Sequence, residues 1–527
     1  MSTVDRWKIA VFGVLVVSVP ALAGCDASPS GQAYQQPSAS AELVAQADAA
    51  PTPRLEWGPC DGPGLAGYQC AVANVPLDYA QPNGPTLPLA VLRQAATDPA
   101  RRVGTLFTAV GGPGGSAFDS ARDGELVPGE LSRRFDVVTF DQRGIGRSSQ
   151  VRCFANTDEQ QRFWLNSWQP PANAEQERAA ERGSRELAAG CAANDGALIA
   201  HLTTVDAARD LDLLRRAVGE PKLTYRGGSY ASYLGEVYGA LFGARVRALQ
   251  LGAMIDPEAY TNDSSTDIAN TAVGTEQVLD EFFRLCTQAG QPRCAFAGED
   301  VRARDRALLD RLRQGAIVVG QGERAVSVSY GEVVQAHAIM LYDAQHGWPA
   351  LAGLLAELER GADGNADTVR EVLAAAPFSF DFLDSFTAIT CADGTFGRNP
   401  EQWPVTGREF AGTAPTYAEF WLYLRQPCAV WPTPEQGYPQ RYTGPWTLRS
   451  DVPALLLNNR FDPVTPLTSA KRAQQEMGNA RLVVIDDGYG HDPSGDCARR
   501  LVEHYLIDLR LPDAGTSCRA DRAPFTE

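Results

Sequence analysis

Histidine is scarce in this chain: 527 residues contain five, His201, His337, His346, His491 and His504. No Cys-x-x-Cys pair and no run of clustered histidines occurs, so a zinc site has little to draw on and no metal is expected. Positive charge is in deficit. The formal net charge is −17 at pH 7, which argues against nucleic acid as a partner and against membrane binding through a polybasic patch. Long apolar runs are also missing. The stretch at 9–19 falls short of the roughly 20 apolar residues needed to span a bilayer. No internal repeat stands out.

The short apolar stretch follows Arg6 and Lys8 and runs into Leu22-Ala-Gly-Cys25. A basic start followed by a brief apolar core fits an export signal, and the four residues at its end resemble a bacterial lipobox. Residues 1–24 therefore read as a lipoprotein signal peptide and Cys25 as the lipidated first residue of the mature chain. The expected location is the cell envelope, on the outer face of the cytoplasmic membrane. A soluble form cut after an Ala-x-Ala-like site is the alternative. More than one acyl chain would make the anchor stable, where a single chain would not. Residues 25–54 are rich in Ala, Ser, Pro and Gln and read as a disordered tether. The chain has 11 cysteines, and setting Cys25 aside leaves an even set, as a disulfide framework outside the cytoplasm requires. Sequential pairing is expected: Cys60 with Cys70, Cys153 with Cys191, Cys286 with Cys294, Cys391 with Cys428, and Cys497 with Cys518.

Chemistry is concentrated in Leu223-Thr-Tyr-Arg-Gly-Gly-Ser-Tyr-Ala-Ser-Tyr-Leu-Gly235, a strand-like run that gives way to a helical pattern. A serine on such a turn needs small neighbours two places before and two places after. Gly227 and Ala231 meet that need around Ser229, so the segment reads as a nucleophile elbow. A serine hydroxyl needs a base. In the hydrolase order of serine, acid, then histidine, His201 comes too early, and His337 and His504 lie in helical patterns where packing roles are usual. His491 lies in the loop Gly488-Tyr-Gly-His-Asp492 after the strand-like run 481–486 and is the expected general base. The acid is expected on the loop after the preceding strand, 453–459, which makes it Asp462; Asp256, also after an apolar run, is the competitor. Asp462 would hold the imidazole tautomer and stabilise the imidazolium. The strand at 104–110 leads into Gly111-Gly-Pro-Gly-Gly-Ser116. No Gly-Lys-Ser/Thr follows, which weakens a phosphate-loop reading. An oxyanion site is expected instead, from backbone N–H groups near Gly112 and at Tyr230.

Strand-like runs at 104–110, 135–141, 222–228, 246–254, 453–459 and 481–486 alternate with helical patterns, the signature of a mostly parallel sheet with helices on both faces. Between them, 258–444 is helix-rich, then rich in aromatics and proline. The expected fold class is α/β, an α/β-hydrolase core in two parts (55–257 and 445–527) with a large, mainly helical inserted lid over 258–444.

Together Gly111-Gly-Pro-Gly-Gly, Phe140-Asp-Gln-Arg-Gly-Ile-Gly-Arg-Ser148, Gly227-Gly-Ser-Tyr230, Asp462-Pro-Val-Thr-Pro466 and Gly490-His491 resemble the α/β-hydrolase peptidases of the prolyl iminopeptidase and secreted tripeptidyl aminopeptidase group. The resemblance runs from about Trp57 onward. It implies a cofactor-free serine exopeptidase acting on peptides with a free N-terminus, with Ser229, Asp462 and His491 as the triad, and a bracing role for Asp141 and Arg143. Val110, Ala231 and Asp492 depart from the residues usual in that group. Carboxylates of the lid would pair with the substrate's α-ammonium group; Glu258 and Glu276 are put forward, with Asp263, Asp343, Asp381 and Asp393 as further candidates. A secreted carboxylesterase or lipase with the same triad is the alternative reading, and a catalytically silent envelope binding protein is a third.

Overall fold

The computed structural model describes residues 39–526, apart from 125, 128, 168, 169, 376, 377 and 434–439. The signal peptide, Cys25 and the first part of the tether lie outside the described residues.

The strands, in chain order, are β1 (Gly58–Pro59), β2 (Gln69–Pro76), β3 (Thr86–Gln94), β4 (Gly104–Ala109), β5 (Phe135–Phe140), β6 (Leu223–Gly228), β7 (Val246–Gly252), β8 (Ile317–Val319), β9 (Val326–Val328), β10 (Ala454–Phe461), β11 (Ala480–Tyr489) and β12 (Ser517–Cys518). Ten of them form one sheet in the order β1-β2-β3-β5-β4-β6-β7-β10-β11-β12. From β5 to β12 every pairing is parallel, whereas β1, β2 and β3 join antiparallel. The parallel strands are apolar on both faces because helices cover the sheet above and below. In β10, for example, the consecutive residues Leu455, Leu456 and Leu457 are all buried. The helix Tyr230–Phe242 follows β6 and is buried along almost its whole length.

The chain between β7 and β10 is mainly helical, as expected, but also carries the antiparallel hairpin β8–β9. Three-residue strands are too short to announce themselves as an apolar alternation. The insert has its own hydrophobic core, built around Phe282, Trp348, Leu351, Leu355, Tyr417 and Trp421. Its last part behaves differently: Tyr442, Trp446 and Leu448 pack into the core of the sheet.

Two features depart from the expected domain plan. Residues 39–54 are not wholly a disordered tether, since Ala39–Ala49 is a helix. Ala47 and Ala50 are buried, Arg216 donates to the carbonyls of both, and Arg245 pairs with Asp48 at 2.7 Å. Alanine has the highest helix propensity, and here the segment gains enough apolar contact to offset its ordering entropy. Secondly, the first part of the core carries a helical excursion of its own, Thr157–Ser167 and Ala174–Ile199. It reaches across to the insert: Trp164 Nε1 donates to Asp384 at 2.8 Å, and Ser184 Oγ donates to Gln426 at 3.1 Å. The five disulfides join the cysteines that are neighbours along the chain. No single helix among the described residues is long and apolar enough to cross a membrane.

Candidate active site

Ser229 stands between β6 and the helix Tyr230–Phe242 with φ 58° and ψ −134°. That combination is sparsely populated for a side-chain-bearing residue and costs about 1–3 kcal/mol, so the surroundings must impose it. They do so through two carbonyls, of Gly252 and Ala253, which both accept the Ser229 N–H at 3.1 Å. The small-residue rule has a direct cause here. A Cβ on Gly227 would lie 2.4 Å from the carbonyl oxygen of Ala231, and that oxygen also accepts the buried Tyr225 hydroxyl at 2.8 Å.

His491 follows β11. Its Nδ1 lies 3.0 and 3.1 Å from the two carboxylate oxygens of Asp462, which itself follows β10 and is 1% exposed. The remaining acceptor capacity of Asp462 is filled: Oδ1 accepts the N–H groups of Val464 and Thr465 at 2.9 Å, and Oδ2 accepts the Thr465 hydroxyl at 2.8 Å. A buried carboxylate held by donors on every side is fixed in position. Burial alone would lower the His491 pKa; the charge and hydrogen bond of Asp462, with the charge of Asp492, outweigh it and hold the ring above its ordinary value. Asp256, the competing acid, caps the helix Pro257–Asn262 through Ala259 N instead. Three of the other four histidines are engaged elsewhere: His337 is buried beside Asp305, His346 bonds Asp343, and His504 lies near Asp508.

The glycine loop after β4 closes on the serine. A Cβ on Gly111 would stand 2.8 Å from Ser229 Cβ and 3.1 Å from its Oγ, so the backbone approaches to within contact. Gly112 has φ +123°, and a Cβ there would meet the ring of Phe382 at 2.8 Å. Phe382 belongs to the insert helix Phe380–Asp393. Tyr230, whose N–H follows Ser229, is buried and anchored by its hydroxyl, 2.5 Å from Thr204 Oγ1. Thr204 donates in turn to Asp393 at 2.6 Å; burial pushes that carboxyl up to about 7 despite these donors. Asp141 and Arg143 brace the surroundings. Asp141 accepts from Ser116 Oγ, Ala117 N and Arg147 N, and Arg143 makes a two-pronged contact with Asp210 at 2.8 and 2.7 Å.

Ser229 and His491 line one cleft of about 490 Å³, together with Thr108, Arg226, Gln250, Tyr342, Asp343 and Asp492. Of the carboxylates put forward for the α-ammonium group, Asp343 lines this cleft. Glu276 does not fit the role expected of it. It is 6% exposed, and its oxygens are consumed by Arg302, Thr416 N and Thr416 Oγ1, as the interior of the insert demands of a buried charge. Glu258 bonds Asn262 and does not line the cleft. Asp393 is buried against Thr204, Asp381 accepts from Gln160, and Asp263 caps the helix Ser264–Ala289. Sequence reasoning missed Thr465 and Tyr342. Thr465 stood within the quoted Asp462-Pro-Val-Thr-Pro466, where a hydroxyl three places after a carboxylate is a ready hydrogen-bond partner; for Tyr342 the sequence holds no signal.

Comparison with known proteins agrees with this architecture. The family model described as "alpha/beta hydrolase fold" matches residues 110–285, and the one described as "TAP-like protein" matches 414–518. The chain is similar to the tripeptidyl aminopeptidase of Streptomyces lividans, 29% identical over 484 residues that cover 86% of this chain and 84% of that one. A protein of Mycobacterium tuberculosis strain H37Rv named carboxylesterase B is 29% identical over 532 residues, 96% of each chain. Serine protease Hip1 of the same strain is 28% identical over 500 residues, covering 88% of this chain and 91% of its own. Fold, matched families and relatives together make this chain an enzyme of the serine hydrolase class with the α/β-hydrolase fold, similar to the tripeptidyl aminopeptidases.

Proposed function

We propose that the protein is an exopeptidase that releases short peptides from the free N-terminus of peptide substrates, with Ser229, His491 and Asp462 as its catalytic triad. The observation that carries this reading is the pairing of His491 Nδ1 with the buried Asp462 carboxylate beside a strained Ser229, in one cleft that also holds the exposed carboxylates Asp343 and Asp492. Asp343 is oriented by its contacts with His346 and Gln345 and is still half exposed, so it has capacity to receive an α-ammonium group.

Ser229 Oγ attacks the scissile carbonyl carbon while His491 Nε2 takes the hydroxyl proton. The carbonyl oxygen becomes an oxyanion, held by backbone N–H groups of the Gly111–Gly112 turn and of Tyr230. His491 then gives its proton to the leaving amine as the C–N bond breaks. A water, deprotonated by the same ring, opens the acyl-enzyme and restores Ser229. Asp462 stabilises the imidazolium throughout. The name of the Streptomyces relative supports tripeptides as the released unit. Five disulfides support an extracytoplasmic site of action, and a lipid on Cys25 would hold the enzyme at the membrane.

The test compares chromogenic tripeptides with free and acetylated N-termini, using the mature protein and its Ser229→Ala variant. Cleavage confined to the free amines and lost in the variant is the expected result; indifference to acetylation sinks the exopeptidase reading. The relative named carboxylesterase B, aligned along 96% of this chain, favours one other reading, an esterase with the same triad. Turnover of p-nitrophenyl esters without any peptide cleavage would establish it.

A further inference from the structure

Arg226 is out of place by the rules of its strand. It lies on β6, in the middle of the parallel part of the sheet and three residues before Ser229, where strands covered on both faces are apolar. Its neighbours across the strands are Thr108 and Gln250, and all three line the cleft that contains Ser229 and His491. Arg226 is partly buried at the cleft, and a guanidinium so placed has a fork of donors to satisfy. Elsewhere in this protein that need is met: Arg143 pairs with Asp210, Arg209 with Asp206, and Arg215 with Asp212. Among the described residues the Arg226 side chain makes a single hydrogen bond, from Nε to Gln250 Oε1 at 3.1 Å, and no carboxylate comes within ion-pair distance of it. Burial lowers its pKa, and only the more distant charge of Asp492 opposes that.

Gln250 holds the Nε edge and so orients the guanidinium plane, which leaves the two terminal nitrogens of Arg226 for the cleft. A planar pair of N–H groups of this kind matches a carboxylate in two-pronged geometry. We infer that Arg226, positioned by Gln250, is a carboxylate-binding subsite beside the nucleophile. Resting on the peptidase reading above, the inference gives the substrate class as short peptides that carry a carboxylate near the scissile bond. That carboxylate is either the free C-terminus of a short segment left behind, or an acidic side chain next to the cleaved bond; after hydrolysis the new C-terminus of the released segment can occupy the same subsite.

The experiment measures inhibition of p-nitrophenyl acetate hydrolysis, a reaction that demands only the serine and its base, so it reads the subsite whether or not peptides are cleaved. The inhibitors are tri-alanine with a free C-terminus, tri-alanine amide, and an amidated tripeptide ending in aspartate, tested on the wild-type protein and on Arg226→Met and Arg226→Lys. A free carboxylate is expected to bind at least roughly 10-fold more tightly than the amide, the size of one charge-assisted pair. Preference for tri-alanine acid identifies the chain terminus as the source; preference for the aspartate amide identifies the side chain. In Arg226→Met the preference collapses to within about twofold, and Arg226→Lys, which keeps the charge without the fork, falls between. Equal inhibition by all three ligands in the wild-type protein overturns the inference, and this comparison stands even where the methionine variant fails to fold. Cleavage of free-amine peptides with no such preference would remove the subsite and leave the peptidase. Carboxylate preference with no cleavage of any peptide would leave the subsite and remove the peptidase.

Discussion

The ring of His491 packs edge-on against Tyr342, with centroids 5.0 Å apart and 67° between the planes, and the His491 N–H donates to the Tyr342 carbonyl at 2.9 Å. Tyr342 belongs to the insert between β7 and β10. The catalytic base of the proposed triad is therefore positioned from two directions, by Asp462 of the hydrolase core and by backbone and ring of the insert.

That contact depends on a glycine. Gly490 has φ +89°, and a Cβ there would stand 2.5 Å from the Tyr342 carbonyl oxygen. Gly490→Ala is expected to cost about 1–3 kcal/mol through backbone strain and to push His491 off its position. Thermal unfolding should show a lowered midpoint. The same variant should lose kcat more than KM, because the displaced group acts on the reacting atoms and not on substrate docking. An unchanged kcat would show that the close approach is structural only.

The pH profile follows from the sign of the His491 shift. Its base form is the active one, and the ring is held above its ordinary value because Asp462, joined by Asp492, outweighs burial. Activity should thus rise with pH through an acid limb above about 6.5, the unperturbed imidazole value. In Asp462→Asn the main raising charge is gone, so the limb moves to lower pH while kcat falls by about 10⁴-fold. Rate-against-pH curves of the two proteins make the check. A limb that moves upward in the variant contradicts the assignment.

Glu276 sorts structure from recognition. Its carboxylate is buried and receives Arg302 at 2.7 Å and Thr416 N at 3.0 Å, and Arg302 is partly exposed. Glu276→Gln should lower stability by about 1–3 kcal/mol after allowance for that exposure, with KM for free-amine peptides unchanged. A rise in KM without loss of stability would return Glu276 to the substrate site.

The disulfide Cys391–Cys428 ties the helix that carries Phe382 to the 3₁₀ turn Gln426–Val430 across 37 residues of chain. Closing a loop of that length constrains the unfolded chain by about 3–4 kcal/mol in the chain-entropy account. The double variant Cys391→Ala/Cys428→Ala should unfold several degrees lower in a calorimetric scan. A midpoint equal to that of the parent would show that packing alone fixes this helix.

The parallel heart of the sheet was legible because strands buried on both faces are near-continuous apolar runs, and the six runs read from sequence coincide with β4, β5, β6, β7, β10 and β11. The elbow was legible for a different reason: Gly227 is small because any side chain there would collide with the turn, a constraint that sequence records directly. The antiparallel flank was not. In β2 buried and exposed positions alternate only from Ala71 to Val75, and the exposed Val72 is itself apolar, so the sequence shows no clean polar–apolar alternation there. The helix Ala39–Ala49 was hidden by the Ser- and Pro-rich composition around it, and the helices at 157–199 by their distance along the chain from the insert they join. Arg226 stood in the quoted elbow segment, yet its lack of a carboxylate partner is a fact of three dimensions and no spacing announces it.

Two contacts of the insert bear on the shape of what the enzyme admits. Tyr342 holds His491, and Phe382 rests on the glycine turn at Gly112. A cover that merely shaded the serine could swing aside for each substrate. These residues cannot leave without dismantling the machinery, so they act as the jambs of a fixed doorway. Under the exopeptidase proposal, calibre would then decide admission: a slender chain end would thread in, and a folded domain or the middle of a chain would be turned away at the threshold.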